Sequence, residues 1–537
     1  MVRLRSSGGR LIPSLQESLD KAAQACAQGA LDIAEGFCRI ALELSSREPV
    51  AFHILGLIAQ QRGDSRGALR WFDAALTVKP NFFQARFNRA VLLRGMGHNE
   101  EAFFCVRPLL ESAPLLGEAW DLAGQILKDK GKLDEAKVCF EKALALQPGN
   151  ALFHGNYGLL LFALNDLRGA YREARQADLL NPSYPPLLLG NVLRALGYPE
   201  EAARCFARAR TLMPDSSEAR ASEAMALLQM GDLPEGFALW EQRPDLESGL
   251  KDIPLWQGEK TTSLLLYEDQ GLGDAIQFLR YIPLLKKAVS DLVLRVRAPL
   301  VSLCAMNFPD IHVLAETEPL LSVSARCRLS SLPFFFHTAL SSIPPAPYIT
   351  APTDHVWAER LAAVSSPRIG LVWAGNTHFR NDAWRSIELN ALSPLWACGK
   401  EHFVSLQKDS PEPPETLGLA DVSSFLSSFA DTAAIMTSLD LIVSVDTASA
   451  HLAGALGKPV FVLLPFNSDW RWLMAREDSP WYPSARLFRQ EAPGEWTPVL
   501  ERVADALKAF INGDPHVRLA PPWKAPPVRK NPFAIPL

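Results

Sequence analysis

The chain has no apolar stretch approaching the roughly 18 residues that cross a bilayer as a helix. Its opening residues, MVRLRSSGGRLIPSL, lack the apolar core of a secretory signal. A cytoplasmic protein without a transmembrane segment is therefore expected. Basic runs are missing as well: 54 Lys and Arg stand against 59 Asp and Glu, giving a formal net charge of -5. No electrostatic footprint for nucleic acid follows from that balance. Metal-ligand spacing is equally absent. The cysteines, Cys26, Cys38, Cys105, Cys139, Cys205, Cys304, Cys327 and Cys398, contain no Cys-x-x-Cys and no His/Cys cluster, which leaves zinc and thioredoxin-type chemistry without a basis. They read as reduced and structural, with no disulfide framework. Disorder is excluded by composition, because 48% apolar and 21% charged residues lie close to the globular average. At 537 residues the chain has room for three or four domain-sized units.

What is present, first, is a repeat. Pro80, Pro114, Pro148 and Pro182 follow one another at intervals of 34, and Pro214 comes 32 later, the period of a two-helix solenoid unit. In the clearest copy Trp120, Gly124, Leu127, Gly131, Ala136, Phe140, Ala143 and Pro148 keep a fixed spacing, and Phe52, Gly56, Gly63, Ala68, Phe72, Ala75 and Pro80 occupy corresponding places two copies earlier. Small residues let paired helices approach, aromatics fill the gap, and proline closes the second helix. The pattern resembles the tetratricopeptide repeat. It predicts an α-solenoid of about seven repeats over 15–246, preceded by a tail over 1–14, with degenerate terminal units. The concave face of such a solenoid is expected to take a protein or peptide. Asn88 and Asn156, at equivalent positions, are either backbone-binding amides or ordinary surface residues.

Beyond a junction at 247–260 the pattern changes to strands alternating with helices. TSLLLYE, DLVLRVR and IHVLAE flank the helix-like AIQFLRYIPLLKKAV; PRIGLVWAG, HFVSLQ, DLIVSV and PVFVLLP alternate with DTAAIMTSL and ASAHLAGALG. This is the signature of parallel α/β sheets, with one Rossmann-like half over 261–360 and a second over 366–512. VLERVADALKAFI reads as a closing amphipathic helix, and the proline-rich tail over 515–537 is expected to be extended.

Ligands of doubly wound sheets bind beyond the carboxyl ends of the strands, which directs attention to three loops. The first, Glu268 to Asp274, has Gly271 and Gly273 for a tight turn and close ligand approach. Asp274 is there either a helix cap or a carboxylate able to take a proton from a hydroxyl. Gly375 to Ser386, the second, gathers Asn376, His378, Arg380 and Arg385, either as a phosphate-holding set or as a solvated loop. In the third, Ser444 to His451, Asp446 or Thr447 would cap a helix whose free N–H groups face an anion, with Ala448 and His451 on its first turn. Trp470 and Arg471 follow the next strand and would either wall a base or sugar or pack.

In their order, GLGDAIQFLRY, GLVWAGN, RSIELNAL, FVSLQ, VDTASAHLAGALGKPV and DWRWL resemble the glycosyltransferase-B domain of tetratricopeptide-repeat glycosyltransferases. They are similar in particular to the heptosyltransferase (family 9) superfamily and more distantly to O-linked N-acetylglucosamine transferases. The resemblance implies two Rossmann-like halves, an acceptor side and a nucleotide-sugar side. It implies Asp274 as general base, and Gly271, Gly273, Asn376, Arg385, Asp446, Thr447, Ala448 and His451 around the donor's phosphates. Gln270, His378, Arg380, Gln407, Trp470 and Arg471 would be substrate contacts. Arg385 stands where the family commonly has lysine, and Ala448 where it usually has glycine. No Asp-x-Asp motif is present, so metal-independent displacement with inversion is expected, with the nucleotide-sugar as co-substrate and no cofactor. The expected acceptor is a Ser or Thr hydroxyl of a protein bound by the repeats. The alternatives are an inactive scaffold and a transferase acting on a glycan or lipid-linked saccharide.

Overall fold

The structure, a computed structural model, describes residues 13–245, 248–320, 322–353, 356–376, 382–408 and 418–521. The chain divides into two compact units, Met1–Leu189 and Gly190–Leu537.

In the first unit, helices of 13 and 14 residues alternate from Leu15–Ala27 to Leu167–Leu180. Two of these pairs, Pro49–Gln61 with Ser65–Val78 and Gly117–Asp129 with Leu133–Leu146, close on a glycine against a phenylalanine. A β-carbon built on Gly56 would lie 2.4 Å from the Phe72 ring, and one on Gly124 would lie 2.9 Å from Phe140. Both rings are buried, each worth about 2–3 kcal/mol of hydrophobic stabilisation. Gly63, Gly97 and Gly131 turn the chain between paired helices at φ of 81°, 81° and 76°, a conformation that side chains resist. Pro80, Pro114, Pro148 and Pro182 each fall just beyond the second helix of a pair, where proline prevents continuation.

Asn88 and Asn156 prove to be neither open amides nor simple surface residues. Asn88 bonds to His53 at 2.8 Å, and Asn156 donates to both oxygens of Asp121 at 2.9 and 3.1 Å. Each therefore ties its repeat to the preceding one.

The second unit begins with further helices, Pro199–Leu212, Ser217–Met230 and Leu233–Glu241. The helical pattern thus runs nearly as far as the expected limit at 246, but the compact boundary lies at 189. Packing gives the reason. Leu228, Leu233 and Phe237 share one buried core with Leu264 and Leu266 of the first sheet, and the Gln229 amide donates to Asn467 and to the Ser468 carbonyl. The last helices are thus built into the α/β core.

Among the described residues that core holds two parallel sheets. Strands β1 (Ser263–Tyr267), β2 (Asp291–Val296), β3 (His312–Ala315) and β4 (Ala325–Arg328) lie in the order β3-β2-β1-β4. Strands β5 (Ile369–Val372), β6 (Phe403–Ser405), β7 (Ala420–Asp421), β8 (Leu441–Val445), β9 (Val460–Leu464) and β10 (Ala485–Arg489) lie in the order β10-β9-β8-β5-β6-β7. Every pairing is parallel. In both sheets the first strand is internal, the next two extend to one side and the fourth lies on the other. This is the doubly wound order, with switch points between β1 and β4 and between β5 and β8. Apolar β8 and β9 are buried throughout, as expected of strands covered on both faces.

Three differences from the sequence reading have local causes. β4 (ARCR) shows no apolar pattern because Arg326 and Arg328 are buried, Arg326 on the Ile253 carbonyl, Tyr267 and Asp245. AIQFLRYIPLLKKAV is not one helix. It breaks into Leu272–Phe278, a tight 3-10 turn at Leu279–Tyr281 and Ile282–Leu285, where Pro283 cannot supply an interior N–H. The closing helix extends over Thr497–Ile511, and Pro515–Arg518 forms a 3-10 turn where extended chain was expected. The tail from 522 onward lies outside the described residues. No described helix is long and apolar enough to cross a membrane.

Candidate functional site

The switch point of the six-stranded sheet is built by two loops. Asp446 and Thr447 follow β8, and Thr447 takes the N-cap position of the helix Ala448–Ala455 without bonding its side chain to that helix. Its hydroxyl instead meets Ser444 Oγ at 3.1 Å. The first N–H groups of the helix thus lack a side-chain cap and carry the positive end of its dipole. From the loop after β5, Arg385 donates Nη1 to the Asp446 carbonyl at 2.8 Å and Nε to Asp382 at 2.9 Å. Asn376 is exposed at the end of the described part of this loop. His378 and Arg380 lie outside the described residues.

The first sheet supplies the facing wall. Asp274 is the third residue of Leu272–Phe278, and its Oδ2 accepts the Gly271 N–H at 2.6 Å. It therefore does cap the helix. Its Oδ1 lies 2.7 Å from Arg471 Nη2, while Arg471 Nη1 reaches Asp469 at 2.8 Å. Gly273 stands against the second-sheet helix, so the Gly271–Asp274 and Asp446–His451 turns touch.

Electrostatics follow from burial. Desolvation lifts the Asp274 carboxyl above its ordinary value, opposed mainly by Arg471. Asp446 is raised to about 6 by desolvation and then by the nearby Asp469 charge. His451 is held well below its usual range by burial and by Arg471, Arg280 and Arg385, so its imidazole is neutral. Its Nδ1 meets Tyr482 Oη at 2.9 Å, its Nε2 lies 3.9 Å from Asp446, and its ring stacks on Trp472. Taken together, a helix N-terminus and two guanidinium groups can hold an anion beside the Asp274 carboxylate, a proton acceptor.

A cavity of about 330 Å³ opens beside the carboxyl ends of β1 to β3, lined among others by Asp269, Gln270, Arg295, Arg297 and Glu316. Arg297 pairs with Glu268 and donates to the Gln270 carbonyl at 3.0 Å. Asp269 accepts from Arg243 at 2.9 Å and from Ser330 Oγ at 2.6 Å, bridging the β1–β4 switch point. Sequence reading missed Arg243 and Ser330, whose neighbours carry no local motif. A larger cavity of about 450 Å³ lies near Tyr348, Thr437 and Lys458, before the start of β9 and away from these loops.

Two proposed substrate contacts are placed otherwise. Gln407 Oε1 accepts from the Trp373 and Ala374 N–H groups and its Nε2 donates to the Ala374 and Lys408 carbonyls, which exhausts the amide. Trp470 is buried against Phe237 and Trp481, so it fills core instead of walling an open pocket. Among the described residues no cluster of three or more His, Cys, Asp or Glu could hold a metal ion.

Comparison with known proteins bears on both parts of the chain. The tetratricopeptide repeat model matches residues 117–150, and a second model of that repeat matches 187–243. The chain carries tetratricopeptide repeats, a class of solenoid that serves protein–protein interaction. Protein FlbA of Caulobacter vibrioides is 25% identical over 553 residues, spanning 87% of this chain and 86% of that protein. That share exceeds either compact unit, so the likeness runs through both. Human tetratricopeptide repeat protein 7A is 28% identical over 113 residues, and the match spans only 13% of its length. A solved structure of Pseudomonas aeruginosa pilF overlaps 39% of this chain and 96% of its own, with a TM-score of 0.35 and 19% identity.

Proposed function

We propose that the chain is a glycosyltransferase of the glycosyltransferase-B type, moving a sugar from a nucleotide-sugar to a Ser or Thr hydroxyl of a protein held by the repeats. The observation that carries this reading is the meeting of the two switch-point turns, Gly271–Asp274 against Asp446–His451, with Arg471 between them. A donor diphosphate at the N-terminus of Ala448–Ala455 would be neutralised by Arg385 and the helix N–H groups. Asp274 would take the proton of the attacking hydroxyl as its oxygen bonds to the anomeric carbon and the bond to the diphosphate breaks, with inversion and without metal. The charged cavity beside Gln270 suits an acceptor segment.

One observation favours a second reading, a scaffold that no longer catalyses: both Asp274 oxygens are already engaged. Thermal unfolding with UDP, ADP, GDP and CMP separates the two. A shift with one nucleotide that is lost in His451→Ala supports transfer, and no shift with any supports the scaffold. Protein and glycan acceptors are separated by removing the repeats ahead of residue 187. A cut at 246 would strip Leu228, Leu233 and Phe237 from the α/β core. If the shortened protein keeps its nucleotide shift, loss of transfer assigns a protein acceptor, and retained transfer assigns a glycan.

A further inference from the structure

We infer that Arg471 is the group that couples donor binding to release of the base: paired in this structure with Asp274 and Asp469, it moves onto the donor's diphosphate, leaving the Asp274 oxygen it held for the acceptor hydroxyl. The inference rests on the glycosyl-transfer reading and answers the objection that Asp274 is occupied.

The geometry carries it in three steps. Arg471 lies between carboxylates of both halves, 2.7 Å from Asp274 and 2.8 Å from Asp469, and its own backbone N–H bonds to Asp469 at 3.0 Å. Asp469 therefore anchors the turn that presents the guanidinium, while Asp274 is its partner across the cleft. Arg471 Nε, next, is buried with no hydrogen-bond partner. A guanidinium has five N–H donors in a fixed fork, and an unmet buried donor costs about 1–3 kcal/mol, so the pairing with Asp274 and Asp469 leaves part of the fork unused. A diphosphate offers two charged groups in the geometry that a guanidinium matches best. Arg471, finally, already exerts its charge on Asp446 and His451, at the start of the phosphate-facing helix, so the exchange is a local swing about the anchored turn.

The consequence for chemistry is directional. With Arg471 beside it, Asp274 has both oxygens engaged. Once Arg471 turns to phosphate, burial acts on Asp274 opposed only by the Gly271 N–H, and the affinity of the carboxyl for a proton rises as the donor arrives. No bond is made or broken in this step. A cation passes from a carboxylate to a phosphate.

Exchange means competition, and competition is measurable by equilibrium titration of the full chain with UDP, ADP, GDP and CMP. Asp274→Asn should tighten the nucleotide that binds by about tenfold, within the usual range of coupling between sites. Arg471→Gln should weaken it by at least as much, and Arg471→Lys should recover part of the loss. In the Arg471→Gln background, Asp274→Asn should no longer tighten binding. Equal tightening in both backgrounds would mean that Asp274 acts only through its field, and no tightening in either would mean that it does not compete; each result overturns the exchange. If neither the wild type nor Asp274→Asn binds any nucleotide, it is the glycosyl-transfer reading that fails. Thermal unfolding of each variant identifies any that does not fold, and Arg471→Lys then stands in for Arg471→Gln.

Discussion

A β-carbon built on Gly273 would lie 2.6 Å from Cδ2 of His451 and 3.3 Å from Cα of Ala448. The glycine belongs to the first turn of the helix after β1 and the histidine to the helix after β8, so one missing methyl group lets the two halves close on each other. His451 cannot easily give way, because its ring stacks on Trp472 and bonds to Tyr482. Gly273→Ala should therefore destabilise the protein by about 1–3 kcal/mol, read as a lowered urea midpoint. Adding His451→Ala should restore part of it, a non-additivity expected of residues in contact. Strictly additive losses would show that the two do not press on each other.

The elements that sequence pattern revealed are those governed by local rules. A proline every 34 residues and glycines opposite aromatics announced the paired helices, since each unit repeats one packing solution. The strand-to-helix turn at Asp446–His451 was legible because an apolar strand, a cap and a small-residue helix are adjacent in sequence. Long-range pairings were not legible. Arg326 meets Asp245 across 81 residues and Ser330 meets Arg243 across 87, and neither partner is marked by its neighbours. Asp274 was visible as a carboxylate in a glycine turn, but its tie to Arg471 depends on how the two halves face one another. Trp470 illustrates the opposite case: an aromatic near a loop suggested a ligand wall, and packing against Phe237 and Trp481 used it instead.

Gln407 offers a test of splinting at the end of β5. Its amide accepts from two backbone N–H groups, at 3.1 and 2.9 Å, and donates to two carbonyls, at 3.2 and 3.1 Å. Gln407→Glu keeps the size and the acceptors but loses both donors, setting a carboxylate against the Ala374 and Lys408 carbonyls. It should cost on the order of 2–3 kcal/mol, more at neutral pH than in mild acid where the carboxyl can be protonated. Wild-type thermal stability at neutral pH would rule out the splint.

Arg280 is buried without a carboxylate among its hydrogen-bond partners. Its guanidinium donates to the carbonyls of Gln277, Pro344 and Trp481 and to Tyr348 Oη, and lies 4.6, 5.1 and 5.0 Å from the ring centres of Tyr348, Trp481 and Tyr482. One side chain thus fastens the first sheet's helix to the far edge of the second half. Lysine carries the same charge but has no planar fork to reach these groups together. Arg280→Lys should lower stability by about 3 kcal/mol or more, nearly as much as Arg280→Ala. A lysine variant that unfolds with the wild type would show that charge alone is needed.

Asp121 gives the repeats a pH dependence of definite sign. Burial raises its carboxyl from the ordinary 3.8 to about 6, although Asn156 and Gln125 donate to it. The folded state therefore holds the proton more tightly than the unfolded chain. The associated stability is fully present below the ordinary value and is lost as pH rises through about 6. Two pKa units at 1.36 kcal/mol each set an upper scale of about 3 kcal/mol. Asp121→Asn removes the charge while keeping the shape, and Asn156 can turn its amide over to match. The variant should be more stable than the wild type at about pH 8, and the gain should shrink steadily towards about pH 4.5, as followed by urea midpoints. A gain that does not change with pH would mean that the Asp121 carboxyl is not the titrating group, and that the bridge to Asn156 holds the repeats together equally well in either charge state.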